Sequence, residues 1–184
     1  MDTTQPMRRR RFALALCLAA ATAGAAPALR AETVDGRVAA VVSGDTLQVD
    51  VPGRGQWRVR LAWIAAPARL QEHGEAARSS LGALAFGRPV RLENPRAVGN
   101  EWQARVWAAP PLARCGNADC PPTLDLGLAQ LDAGMAWHDR RDAGSARQPA
   151  LADYQQAEFA AKIGRRGLWA GKNPLPPWQW RGPR

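Results

Sequence analysis

Lysine is nearly missing from this chain of 184 residues: of its 25 basic side chains only Lys162 and Lys172 are not arginine. Positive charge carried this way suits bidentate phosphate contacts, but a GC-rich coding sequence produces the same bias, so it assigns no partner by itself. Histidine occurs twice and cysteine three times. Cys17 lies near the N-terminus, which leaves Cys115 and Cys120 in a loop rich in Gly, Asn, Asp and Pro. A structural zinc site takes four ligands, and His73 and His138 are isolated and far off in sequence, so metal is disfavoured. The spacing of the two cysteines instead suits a Cys115–Cys120 disulfide closing a small ring in an oxidising compartment. No internal repeat is present, and no apolar run is a good membrane span of ~20 residues. The length suits one domain with a proper core.

The N-terminus reads as a signal peptide over residues 1–31. Met7–Arg11 is a basic segment, Phe12–Ala26 an apolar one, and small residues follow with cleavage after Ala28 or Ala31. An uncleaved anchor is the alternative; Arg9–Phe12 fits a twin-arginine pattern loosely, and Cys17 lies too early for a lipoprotein signal. Removal of this segment takes away five arginines and one aspartate, lowering the net charge from +9 to +5. That charge permits a polyanionic partner without requiring one. A periplasmic or secreted protein with no stable membrane span after cleavage is expected.

Beyond the signal, periodicity organises residues 32–172. Strands are expected over Val34–Val42, Thr46–Val51 and Trp57–Ile64, where apolar and polar residues alternate around the Pro52-Gly53-Arg54-Gly55 turn. A helix is expected over Glu75–Phe86, strands over Pro89–Glu93 and Gln103–Ala108 with a turn at Asn94–Asn100, and helices over Thr123–Ala133 and Leu151–Ile163. Five strands interrupted by a helix predict an α+β, β-rich fold: a five-stranded OB-type barrel with three helices, offering a groove of the kind used for oligonucleotides or oligosaccharides. Residues 173–184 form a Pro/Trp-rich tail, in which Trp178 and Trp180 are expected to pack on the domain, a Pro-rich binding peptide being the alternative.

Gly44-Asp45-Thr46, Arg60-Leu61 and Ile64-x-x-Pro67 resemble, in order and spacing, the signature of the staphylococcal-nuclease family. Leu131–Trp137 and Tyr154–Glu158 followed by Gly167-Leu168-Trp169 extend the likeness over Val34–Trp169. The resemblance implies the OB-type barrel and a phosphodiesterase site of two aspartates and a carbonyl on calcium, a glutamate base and two arginines. It places Asp45 as a metal ligand and Arg60 and Arg105 as phosphate-binding arginines. Arg58, on the same strand face as Arg60, exchanges roles with it under a register shift; Asp45 is equally readable as a turn residue, and Arg105 as a solvated strand charge.

Two positions depart from the pattern. Ala65 stands at the second aspartate and Ala68 at the glutamate. Calcium takes six or more oxygens, so Asp45 with the Ala66 carbonyl implies at most a weak Ca²⁺ site, and a methyl group takes no proton from water. Three readings stay open. The first is a binding module for single-stranded nucleic acid or another polyanion, using Arg58, Arg60 and Arg105 with Trp102 or Trp63 as stacking surfaces, although core is the expected place for Trp63. The second is an active or metal-shifted nuclease using Asp45 with Glu72 or His73, and the third a non-catalytic envelope module that contacts another protein.

Overall fold

The outward arginines and inward apolar residues of the Thr46–Leu61 hairpin set the architecture. In the computed structural model of the chain, residues 32–110, 120–141 and 148–182 are described together with Met1, the backbone alone at 148–150. Residues 1–30 and 31–184 separate into two units, and the account below concerns the second.

Strand β1 spans Thr33–Ser43, β2 Thr46–Val51 and β3 Gly55–Leu61. Leu47, Val49 and Val51 on β2 and Trp57, Val59 and Leu61 on β3 point inward and are buried, while Arg58 and Arg60 face out. Each such aliphatic side chain contributes roughly 1.5–3 kcal/mol when fully buried. Helix α1 (Gly74–Ala85) packs Ala77, Leu81 and Ala85 into the core. Strands β5 (Pro89–Val98) and β6 (Glu101–Ala108) form a hairpin, β5 pairing with β1. The parallel pairing of β3 with β6, Val59 opposite Trp102 and Arg60 opposite Gln103, closes the barrel. The expected five-stranded OB-type barrel with three helices is present. Helix α2 is Leu126–Asp132 and helix α3 Gln148–Ile163.

Four local departures matter. The third strand ends at Leu61, because Trp63 takes a left-handed backbone (φ 62°). Ile64–Ala65 (β4) then leaves the barrel and pairs with Trp137–His138 (β8), so Ala65 does not continue the Arg60 strand. Asn94–Val98 continues β5 where a turn was expected; the register shifts between Glu93 and Arg96, with Asn94 at positive φ. Leu124–Asp125 (β7) pairs with β6, and the second helix starts only after it, capped by the Asp125 carboxylate on Leu128 N–H at 3.1 Å. Trp63 is half-buried and packs against the core, its ring edge-on to Tyr154.

The C-terminal segment packs onto the domain. Leu168 N–H donates to the Gly134 carbonyl, Trp169 and Trp178 both meet Trp137 edge-on, and Gln71 donates to the Leu175 carbonyl. Cys120 is buried, and Cys115 lies outside the described residues, as do the expected signal segment and its cleavage sites.

Candidate nucleic-acid interface

Gly44 places the Asp45 turn. A Cβ at Gly44 would lie 2.5 Å from the Ala77 Cβ and 2.7 Å from the Ala66 Cβ, so only glycine lets β1–β2 sit against α1 and the 64–68 segment. The buried Gln130 amide holds the same spot from α2, donating to the Gly44 carbonyl at 2.7 Å and the Ala77 carbonyl at 3.0 Å. Its own carbonyl accepts from Ser80. Asp45 then accepts from the Ser43 hydroxyl (2.6 Å) and the Thr46 hydroxyl (3.0 Å) on Oδ1, and from Ala66 N–H (3.0 Å) on Oδ2. Its carboxylate staples the turn to the segment that carries Ala65 and Ala68.

Arg60 lies beside that turn, opposite Thr46 in register, with Leu61 N–H donating to the Asp45 carbonyl. Arg58 Nε and Arg60 Nη2 both reach one carboxylate, Glu101, at 2.5 Å and 2.9 Å. A cleft of about 360 Å³ opens next to them, bounded by Arg60, Val98, Glu101, Trp102, Gln103, Asp139 and Arg141. On its far side Arg141 grips Asp139 through two nitrogens, at 2.8 Å and 2.7 Å. That contact holds the Asp139 carboxyl below the usual range. Trp102 stacks flat on Trp57, centroids 4.0 Å apart, so one of its faces is already covered.

Arg105 lies on β6, two residues beyond the Gln103 that faces Arg60 in register, and has carboxylate partners of its own. It is the mostly buried cation of an internal network, its Nε 2.7 Å from Asp125 and its Nη1 3.8 Å from Glu93, with the guanidinium over the Trp107 ring. Desolvation works against its charge, but the Asp125 carboxylate outweighs it and holds the pKa above the ordinary value. Tyr154 donates to the same carboxylate, and burial pushes its pKa well up. Glu72 and His73, offered as substitute bases, lie 3.5 Å from each other at the head of α1, where Glu72 is exposed.

Three relatives bear on this geometry. The chain is 30% identical over 181 residues to Protein ParB of Escherichia coli, covering 95% of this chain and 94% of that protein. It is 30% identical over 145 residues to an uncharacterized endonuclease of Haemophilus influenzae, covering 79% and 71%. It is 28% identical over 131 residues to a probable staphylococcal-like nuclease of Oryza sativa subsp. japonica, covering 68% of this chain but only 33% of the plant protein. The chain belongs to the staphylococcal-nuclease-like family. No family model matches it.

In this staphylococcal-nuclease-like domain the residues present do not fit the family's calcium site. A carboxylate offers about four lone-pair positions, and three on Asp45 already accept hydrogen bonds. Ala65 supplies a methyl group, and among the described residues no three of His, Cys, Asp and Glu converge on a common point. Ala68 keeps only its backbone, held by the Gln71 side chain on its N–H at 3.1 Å. The arrangement does bring together Asp45, Arg60, Arg58 and the 64–68 segment, while Arg105, on the strand paired with β3, is engaged by Asp125. Glu101, Asp125 and Gln130 escaped sequence reasoning. The one available signal was Asp125 directly before an apolar helical run, an N-cap pattern.

One buried group gives the nuclease-like domain a pH dependence. His138 is 5% exposed, its two ring nitrogens have no hydrogen-bond partner among the described residues, and burial lowers its pKa. Glu158 and Asp139 oppose that shift and Arg140 and Lys162 add to it. The folded state therefore holds a neutral ring, while the unfolded chain takes up a proton at about pH 6.5. The His138 contribution is complete above that value and declines as pH falls toward the lower folded pKa. Urea midpoints at about pH 7.5 and about pH 5.5 should show a larger drop in the native chain than in His138→Leu. Equal drops would assign the acid sensitivity to other groups.

Proposed function

We propose that this domain acts outside the cytoplasm, after loss of residues 1–31, as a nucleic-acid-binding protein in which Ca²⁺-dependent phosphodiester hydrolysis is lost or strongly reduced. Single-stranded nucleic acid is the partner the reading favours. The carrying observation is the pairing of two half-exposed arginines, Arg58 and Arg60, beside an open cleft, with alanine at the base position. Relatives named as nucleases and endonucleases support a phosphate-bearing ligand. A positioned general base typically accounts for ~10²–10⁴ in rate, and Ala68 supplies none.

The exported protein, whose Cys115 and Cys120 are expected to resist thiol labelling until reduced, is the material for the test. Incubated with single-stranded DNA and RNA and with Ca²⁺, Mg²⁺, Mn²⁺ or Zn²⁺ in turn, it should bind without efficient Ca²⁺-dependent cleavage. Affinity should fall with salt by a slope of about 0.7 per phosphate neutralised. Metal-dependent turnover would overturn the loss of hydrolysis and point to Asp45 with Glu72 or His73. Absence of both binding and cleavage would leave a protein-contacting envelope module.

A further inference from the structure

Resting on the reading of Arg58 and Arg60 as phosphate-binding groups, we propose that Glu101 is an internal competitor for that phosphate and sets which anions the site accepts. The two guanidiniums stand two residues apart on the outer face of β3, and Glu101 crosses from β6 to bridge them, one oxygen to each. A phosphate binds a pair of arginines through the same two-oxygen fork. Glu101 therefore occupies the position of the ligand, and its placement follows from barrel closure, since the parallel β3–β6 pairing sets Trp102, the residue after Glu101, beside Val59.

The energetics make this a selective device rather than a dead site. Both arginine side chains are about half exposed, at 47% and 53%, and Glu101 is 21% exposed. Ion pairs with that access to water are weak, so an incoming anion can displace the carboxylate. The cleft beside the pair carries little net charge as it stands, because Glu101 offsets one of the two guanidiniums and Asp139 offsets Arg141. A single monoanion gains little by replacing one carboxylate with another charge of the same sign and size. A chain of consecutive phosphates gains more, since neighbouring charges reach Arg141 and the rim of the cleft as well. The site is thus set to ignore isolated anions and to take a polyphosphodiester.

The test is Glu101→Gln, which keeps the shape of the side chain and removes its charge. Binding of fluorescent oligothymidylate by anisotropy should become about tenfold tighter at low salt, because incoming phosphates no longer have to break two such pairs at once. The salt slope should steepen by about 0.7. Asp35→Asn is the charge-matched control, since it removes a carboxylate paired with Arg91 on another part of the barrel. It should leave affinity within about twofold of wild type, because neither Asp35 nor Arg91 borders the cleft. In an Arg58→Ala/Arg60→Ala background the gain from Glu101→Gln should vanish. If wild type binds and Glu101→Gln does no more than Asp35→Asn, the competitor is overturned while the binding function stands. If wild type fails to bind and Glu101→Gln binds, the competitor is supported and the binding function of the native chain is overturned. If neither binds, both are overturned.

Discussion

Replacing Arg105 by Met is expected to lower the stability of the domain by about 3–5 kcal/mol, the usual cost of removing one partner from a buried ion pair. Asp125 is 5% exposed, and three groups depend on its carboxylate: the Arg105 guanidinium, the Tyr154 hydroxyl and the Leu128 N–H at the start of α2. Without Arg105 the charge stays in the protein with two neutral donors and no cation, Glu93 adding like charge on the same side. Asp125→Ala should cost at least as much, since it removes the helix cap and the acceptor of Tyr154 together with the pair. Urea unfolding measures both, with an unchanged m-value separating lost stability from a changed unfolded state. A variant at Arg105 that unfolds at the wild-type midpoint but loses affinity for oligonucleotide would return Arg105 to the phosphate-binding role implied by resemblance.

That network also shows where sequence stops informing structure. The alternation Leu47, Val49, Val51 and Trp57, Val59, Leu61 is local, so period two alone places those side chains inside and Arg58 and Arg60 outside. The spacing of Ala77, Leu81 and Ala85 places the first helix against the core in the same way. Partner choice is not local. Glu101 meets Arg58, 43 positions away in sequence, through a parallel closure that no residue pattern announces. Asp125 meets Arg105 only because a two-residue strand pairs with β6 before the helix begins. The break after Leu61 was hidden for another reason. Trp63 takes a left-handed conformation that an aromatic residue rarely adopts, held by Asp139 N–H on its carbonyl and by Tyr154 against its ring. Tertiary contacts there override the strand propensity of Trp57–Ile64.

The site itself was half legible, and for the same physical reason. Asp45, Arg60, Ala65 and Ala68 fall within a run of 24 residues and come together through one hairpin and the short strand that follows it. Arg105 lies on another strand. There an arginine on the outer face of β6 reads alike whether it meets a phosphate or a carboxylate. The hydrogen bond from Ala66 N–H to Asp45 was not foreseeable from spacing, yet it decides how the carboxylate is used.

Ala65→Asp together with Ala68→Glu is expected to raise Ca²⁺-dependent cleavage of single-stranded DNA by at least ~10², the lower bound for gaining a positioned base. Asp45 is already turned toward this segment by the Ala66 contact, and Gly44 leaves no room for the turn to retreat. Its Oδ2 keeps one free lone-pair position, so it can meet a cation through that oxygen while Ser43 and Thr46 hold Oδ1. The Ala65→Asp side chain would add the second carboxylate. Because β4 leaves the barrel to pair with β8, the new group rides on a strand anchored by Ile64 and Trp137 rather than on the Arg60 strand. Neither single change should suffice: a base without a metal and a metal without a base each leave one requirement of the reaction unmet. Calorimetry should show tighter Ca²⁺ binding in Ala65→Asp alone, which separates the metal step from the chemistry. Adding Asp45→Ala to the double variant should remove both the binding and the cleavage. A double variant that folds, binds Ca²⁺ and still cleaves no faster than wild type would place the missing group elsewhere, with the Glu101 carboxylate that competes for the arginines the next to change.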